Sequence, residues 1–394
     1  MKNEIFLNKF DQQIVFPIKI NTRLRRRKDH FVITIYKEDR EKLNLSENSI
    51  IIINLNSKEL IRPVRKDYHI SLPNKLLSNK DHGDEILLNI LKITKRDKCL
   101  FRPTLKIKRK KFDLRALIPQ ITDHGYPLYV ISRGNKTSSI WFPIGGGVNH
   151  MTLNNFVNFE KLSELLGFYF GDGTKCQGIQ SFRMTNCEPS VLIYCVGILQ
   201  DIGITKEKLK VQVIYSTPDK VTKEIEMRCI TFWSEILGLK KKQIVSVSKS
   251  NNIRESKLYG SARIFIDSSV MVQVFVRGIM QEIIKKIVNP KTKLDYVLLK
   301  GFMRGLLAAE GYPEFNIHKS LVKVGIAFNP HSDELELYHK LLVNLGITYG
   351  KTNRNALYTY HRKNMKKFKD FDAFKLHKTR NKKFLDGYKN NSML

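Results

Sequence analysis

Acidic residues are scarce in this sequence. Lys and Arg number 69 against 37 Asp and Glu, a formal net charge of +32 over 394 residues. The basic excess runs along the whole length and favours a polyanion as partner, nucleic acid before an anionic membrane surface. Long apolar runs are also missing. Val191–Leu199 is among the longest, short of the about 18 residues that a membrane-spanning helix needs. The first ten residues, MKNEIFLNKF, lack the apolar core and small-residue cleavage site of a signal peptide, so a cytoplasmic, DNA-associated location is expected. Cysteines are few: Cys99, Cys176, Cys187, Cys195 and Cys229, an odd number with no C-x-x-C pair. That argues against a zinc site or a disulfide framework and leaves small core residues or free thiols. The run Gly145–Gly147 lacks the Lys-Ser/Thr of a phosphate-binding loop. Disorder is not expected, because hydrophobic content is 42% and supports real cores. The length suits two or three domains.

What is present is a repeat. LSELLGFYFGDG (Leu162–Gly173) aligns with KGFMRGLLAAEG (Lys300–Gly311) at a constant offset of 138. Ser163, Gly167 and Gly171 fall on Gly301, Gly305 and Ala309; Asp172 falls on Glu310 and Gly173 on Gly311. Positions i, i+4 and i+8 share one face of a helix. Each segment therefore predicts a helix with a stripe of small residues. Glycine inside a helix costs about 1 kcal/mol, and two helices that accept this cost can bring their backbones into close contact. Asp172 and Glu310 are then expected to emerge side by side, with Gly173 and Gly311 suited to a helix end where φ is positive. Two adjacent carboxylates repel unless divalent cations sit beside them. Mg²⁺ is held by one or two carboxylates, water and substrate phosphates, and can activate water for phosphodiester cleavage.

The repeat continues. Asn186–Ile204 aligns with Asn329–Ile347 at an offset of 143, both amphipathic and both ending in Gly-Ile. VKVGIAF places Val322, Val324, Ile326 and Phe328 on one strand face, and SFRMT places Phe182 and Met184 opposite Ser181, Arg183 and Thr185. A weaker match pairs the run from Arg263 with that from Leu357, which implies about 49 extra residues in the first copy around Ile214–Gly238. Each unit reads helix, strands, helix, strands, helix. The polar strand face, with Ser181, Arg183, Thr185, Lys210, Gln212 and Arg263, is the expected DNA-binding surface of a basic saddle.

LLGFYFGDG (Leu165–Gly173) and MRGLLAAEG (Met303–Gly311) resemble the nine-residue motif of the LAGLIDADG homing endonucleases, and the resemblance extends over roughly Asn155–Tyr388. It implies an α+β fold: a pseudo-symmetric pair of αββαββα units, at 151–287 and 288–394, forming a DNA-binding saddle. It implies a monomeric, Mg²⁺-dependent (or Mn²⁺-dependent) endonuclease that cuts both strands of a long pseudo-palindromic double-stranded DNA site. The motif acids Asp172 and Glu310 would bind metal, with the Gly171 and Ala309 carbonyls as further ligands. Asn186 and Asn329 occupy positions where a water-ordering amide is common. Lys378 and Lys285 stand for the basic residue near each site. The sixth motif position is Phe170 in one copy and Ala308 in the other, where the family name shows Asp. Glu at position 310 lengthens the arm, so the two sites are expected to cut unequally. The ends of the chain suit a free-standing or intron-encoded protein rather than an intein. Two rival functions share the scaffold: a non-cleaving DNA-binding regulator, and an RNA-binding intron maturase.

The N-terminal 150 residues divide by composition into a basic arm (1–30, with RLRRRK at Arg23–Lys28), a β-rich domain (31–105) and a basic linker (106–150). Phe31–Leu55 and Tyr68–Leu91 both read strand, short helical turn, acidic turn, strand. This tandem is weakly similar to the swapped-hairpin domains of AbrB-type DNA-binding proteins, with Ile35 and Leu72 at like positions.

Overall fold

A computed structural model describes residues 5–7, 13–15, 17–28, 30–108, 110–122, 125–142, 150–173, 182–250, 258–266, 270–351 and 355–390. The fold is α+β and forms two compact units: Met1–Pro103 with Pro119–Leu153, and Thr104–Ile118 with Asn154–Leu394.

The first unit is built on a six-stranded antiparallel sheet of β1 (Ile18–Arg26), β2 (His30–Thr34), β3 (Ser49–Leu55), β4 (Lys58–Pro63), β5 (His69–Pro73) and β6 (Glu85–Lys95), in the order β4-β3-β6-β1-β2-β5. The two tandem segments pair strand on like strand: Phe31 opposes Leu72 and Ile33 opposes Ile70, while β3 lies antiparallel to β6. Inward side chains, among them Leu24, Ile33, Ile53, Ile70 and Leu88, share one core.

Two boundaries differ from expectation. Residues 1–30 are not simply a basic arm, because β1 lies inside the sheet between β6 and β2. Strand alternation explains this. Ile20, Thr22 and Leu24 point inward, and Lys19, Asn21, Arg23 and Arg25 form the outward half of the same strand. Nor is 106–150 a linker. Lys111–Asp113 pairs with Phe156–Asn158 in the second unit. Tyr129–Arg133 and Thr137–Trp141 form a hairpin in the first, whose Tyr129, Ile131 and Trp141 cover Ile50, Ile52 and Ile61 on the outer face of the sheet. Arg133 and His150 both bond the Glu59 carboxylate there. Burial alone would raise the Glu59 carboxyl, but hydrogen bonds from His150 and Arg133 outweigh it and hold it at about 2.

In the second unit the principal elements are α1 (Phe159–Asp172), β7 (Arg183–Asn186), α2 (Pro189–Ile202), β8 (Lys210–Ser216), α3 (Lys223–Leu237), β9 (Ile244–Ser250), β10 (Ser261–Phe265) and α4 (Val270–Val288). They continue as α5 (Lys293–Glu310), β11 (Gly311–Phe315), β12 (Leu321–Ala327), α6 (Glu334–Asn344), β13 (Gly350–Lys351), β14 (Ala356–Thr359), α7 (Arg362–Asp370) and α8 (Lys378–Asn390). One sheet runs β7-β10-β8-β9 and the other β11-β12-β14-β13. In sequence and sheet position β7, β10 and β8 correspond to β12, β14 and β13. The extra residues of the first half are α3 and β9, and β9 adds a strand parallel to β8 at the sheet edge. The inner faces (Met184, Val211, Val213 and Ile264; Val324, Ile326 and Leu357) are buried. No helix among the described residues is long and apolar enough to cross a membrane.

Candidate site at the paired helix ends

The site begins with how α1 and α5 start. Asn158 accepts the Lys161 N–H at 3.0 Å. Thr292 accepts the Asp295 N–H at 3.2 Å and Asp295 accepts that of Thr292 at 2.9 Å, a reciprocal cap. The helices then run side by side with their small residues facing. A Cβ added at Gly167 would lie 1.9 Å from the Phe302 carbonyl oxygen, and one at Gly305 would lie 1.9 Å from that of Glu164. Phe302 and Glu164 are themselves equivalent under the 138-residue offset, so the interlock obeys a pseudo-twofold. Nearer the start Gly301 faces Ser163, whose Oγ donates to the Leu298 carbonyl at 2.6 Å. Nearer the end Gly171 faces Ala309. Contacts that advance in the same direction along both chains make the helices parallel, and their C-terminal ends meet.

Charged groups fix the register of this pair. Arg304, almost fully buried, donates to both Glu164 and Glu160 and, at 3.1 Å, to the Phe371 carbonyl. Glu164, with a fully buried side chain, also receives Lys375 Nζ at 2.7 Å and the Tyr194 hydroxyl. Burial first, and then the bond to Glu164, pushes the Tyr194 hydroxyl far up. Such a cluster tolerates no missing partner, since a buried uncompensated charge is costly.

At the shared end, a Cβ on Gly171 would stand 3.2 Å from Glu310 Cγ and 3.7 Å from Glu310 Oε1. The residue preceding Asp172 thus touches Glu310. Asn186 Nδ2 donates to Asp172 Oδ2 at 2.7 Å, and its Oδ1 accepts the Glu188 N–H at 2.8 Å, which fixes the amide orientation. Gly173 and Gly311 do not adopt positive φ: their φ values are −90° and −85°. Their need for glycine is steric instead. A Cβ at Gly173 would lie 2.2 Å from the Tyr169 carbonyl oxygen, and one at Gly311 would lie 2.5 Å from a Leu307 methyl.

Three side chains unforeseen in the sequence join this region. Arg380 Nη1, from α8, donates to the carbonyls of Leu307 (3.1 Å), Ala308 (2.9 Å) and Ala309 (3.2 Å). Burial lowers the Arg380 pKa, while Asp172, Cys187, Glu310 and Glu188 act to raise it. Tyr338, on α6, is fully buried and its hydroxyl has no hydrogen-bond partner among the described residues. Burial pushes that hydroxyl far up, reinforced by the Glu334, Glu310 and Asp172 carboxylates. Glu188, also buried, accepts from Ser190 at 2.9 Å and Thr379 at 2.8 Å. The signals were present in TRNKK and ELELYHK, but only the helix phase decides which residue faces inward.

The expected lysines lie elsewhere. Lys378 is exposed at the first position of α8, where its backbone N–H bonds Ser190 Oγ. Lys285 is exposed and paired with Glu282 at 2.7 Å. It lines a hollow with Lys286, Lys291 and Asp295 at the start of α5, fifteen residues and about 22 Å of helix from Glu310. Asn329 is exposed and accepts the His331 N–H at 3.0 Å, as Asn186 accepts the Glu188 N–H, but it does not repeat the bond that Asn186 makes to the motif acid. Ala309 keeps its carbonyl on Arg380. Ser181 lies outside the described residues.

The other strand residues share one face. Thr185 opposes Arg263 and Arg263 opposes Gln212, while Arg183 and Lys210 both oppose Phe265. Among the described residues no group of three or more His, Cys, Asp and Glu is placed to hold a metal. A two-carboxylate arrangement with an ordering amide and an orphaned buried hydroxyl nevertheless fits a cation that keeps most of its water, as Mg²⁺ does.

No protein-family model matches the chain, and no curated protein matches it. A solved structure described as "The crystal structure of I-DmoI in complex with DNA and Ca" aligns at a TM-score of 0.24 with 16% identity, covering 55% of this chain and 91% of that one. The likeness is too slight to carry an argument.

Proposed function

We propose that the protein is a site-specific DNA endonuclease of the homing type, cutting both strands of a long pseudo-palindromic duplex with Mg²⁺ or Mn²⁺. One observation carries this reading: two parallel, glycine-interlocked helices bring Asp172 and Glu310 to the same end. These carboxylates would hold divalent cation, with the Gly171 carbonyl beside them. When bound, the cation supplies charge neutralisation at phosphate and activation of water. Asn186 keeps the Asp172 carboxylate in one orientation. Arg380 supplies fixed positive charge next to both acids, and the sheet faces carry the duplex. The first unit, with its basic outward strand, is a second candidate for DNA contact. The chain acts as a monomer in this reading, because both acids come from one polypeptide.

The decisive experiment exposes a randomised duplex library to the protein with Mg²⁺, beside the Asp172→Asn/Glu310→Gln double variant. Site-specific double-strand breaks made by the wild type alone support the reading; equal cutting by both proteins overturns the carboxylate assignment. Binding should also fall steeply with salt, because phosphate contacts release counterions.

A second reading, a DNA-binding regulator without cleavage, is favoured by Arg380, a built-in cation on the Ala309 carbonyl. It predicts selective library binding and no metal-dependent breaks. An RNA maturase predicts instead that structured RNA outcompetes duplex DNA.

A further inference from the structure

The two halves of the second unit bring different polar groups to their acids. Asn186 donates to Asp172, whereas the matching Asn329 is engaged in its own loop. A second pair of matched positions differs in the opposite sense. The 143-residue offset that aligns α2 with α6 sets Cys195 on Tyr338. Both are fully buried. The thiol of Cys195 is a weak donor, and the hydroxyl of Tyr338 is a good one. The half whose amide is turned aside is thus the half that carries a buried hydroxyl.

That hydroxyl lies beside the shared helix ends. The Tyr338 ring meets the Phe170 ring edge-on, with centroids 6.3 Å apart, and Phe170 packs in turn on Phe302 at 5.8 Å. Phe170 stands two residues before Asp172. Between them is Gly171, where an added Cβ would stand 3.2 Å from Glu310 Cγ. The carboxylates of Glu334, Glu310 and Asp172 all act on the hydroxyl. Glu334, one turn earlier on α6, already accepts the Asn329 N–H at 2.8 Å. No acceptor among the described residues takes the Tyr338 O–H. Burying a hydroxyl without a partner is costly, and phenylalanine fills nearly the same volume without that cost. A partner that arrives with a ligand accounts for the tyrosine.

Building on the divalent-metal endonuclease reading, we propose that Tyr338 is a positioning residue for the second acid: when the acids hold a cation, its hydroxyl donates to the Glu310 carboxylate and fixes it as Asn186 fixes Asp172. The two carboxylates are then oriented by different chemistry, an amide from a strand end and a phenol from a helix. Groups that hydrogen-bond metal-ligating carboxylates contribute to metal affinity, so the hydroxyl acts on binding before any bond is cut. In the metal-free protein it is a burden.

The test is Mn²⁺ binding by the full chain without DNA, read from the electron paramagnetic resonance of the free ion, beside denaturant unfolding in EDTA. Tyr338→Phe should be at least as resistant to denaturant as the wild type in EDTA, yet hold Mn²⁺ about tenfold or more weakly. A hydroxyl that only fills space would leave Mn²⁺ affinity where it was. Asn186→Ala should weaken Mn²⁺ by a similar factor, and Cys195→Ala, at the matching position of the other half, should leave it unchanged. Unchanged Mn²⁺ affinity in Tyr338→Phe, or lower stability of that variant in EDTA, overturns the proposal and leaves the endonuclease reading intact. A wild type with no saturable Mn²⁺ site beyond those of the Asp172→Asn/Glu310→Gln variant overturns the proposal and the metal assignment together.

Discussion

Asp172 and Glu310 end two helices that match residue for residue along their facing stripe, yet the ends are dressed differently. Asp172 is held by an amide from β7, Asn186. Beside Glu310 the matching Asn329 turns into its own loop, and α8 reaches across to fasten Arg380 onto the last three carbonyls before the acid. Backbone contact has kept the pseudo-twofold because no side chain fits between the helices. Around the carboxylates many side chains fit, and there the halves have parted. Duplication is thus preserved where space is smallest and lost where chemistry has room.

The comparison breaks most directly at the acids. On the endonuclease reading, Asp172→Asn and Glu310→Gln should each abolish double-strand cleavage in Mg²⁺ while leaving DNA affinity within about tenfold, as binding through phosphate contacts would; a plasmid assay would resolve linear, nicked and supercoiled products. If the halves act separately, the two variants nick opposite strands. Next is the interlock. Gly305→Val forces a side chain into the Glu164 carbonyl and should cost more than about 4 kcal/mol in denaturant unfolding. Gly197, in the middle of α2, has nothing within 4 Å of an added Cβ, so Gly197→Ala should be neutral or stabilise by up to about 1 kcal/mol. Arg304→Met removes one of the cations on the fully buried Glu164, leaving it Lys375 and Tyr194, and should cost about 3–5 kcal/mol.

A finer test sets the two amides against each other. Asn186→Ala should slow cleavage by about tenfold or more, as loss of a group orienting a metal ligand does, whereas Asn329→Ala should change it little. Equal effects would erase the asymmetry drawn above. The smallest effect carries the comparison to the first unit. Glu59 titrates near 2 instead of 4.5, so its contribution to stability is complete above about pH 4.5 and is lost as pH falls towards 2. Glu59→Gln should make acid unfolding shallower in that window, measured by circular dichroism.

Much of this was legible in the sequence, and the reason is spacing. The small residues at i, i+4 and i+8 fixed one helix face, and strand alternation placed Arg183, Thr185, Lys210, Gln212 and Arg263 together. What stayed hidden depended on phase or on contact. In the basic run that opens α8, Lys378 and Arg380 are equally plausible by type. They stand two residues apart, about 200° around a helix, so one meets water and the other the site. Gly173 and Gly311 carry a glycine signature with two physical causes, and only the structure separates steric closeness from positive φ. RLRRRK looked like an arm because its charge is conspicuous and the inward half of its strand is not.

The helix pair joins segments 138 residues apart in the chain, and that distance has a consequence for synthesis. Chains emerge from ribosomes at about 5–20 residues per second. A nascent chain that has finished α1 therefore spends on the order of ten seconds with Asp172 and no second carboxylate. The half containing Asp172 can form its own sheet in that interval, but the long-range contact of α1 with α5, and with it the pair of acids, is closed only when α5 docks. Whatever chemistry the pair performs is withheld from every incomplete chain.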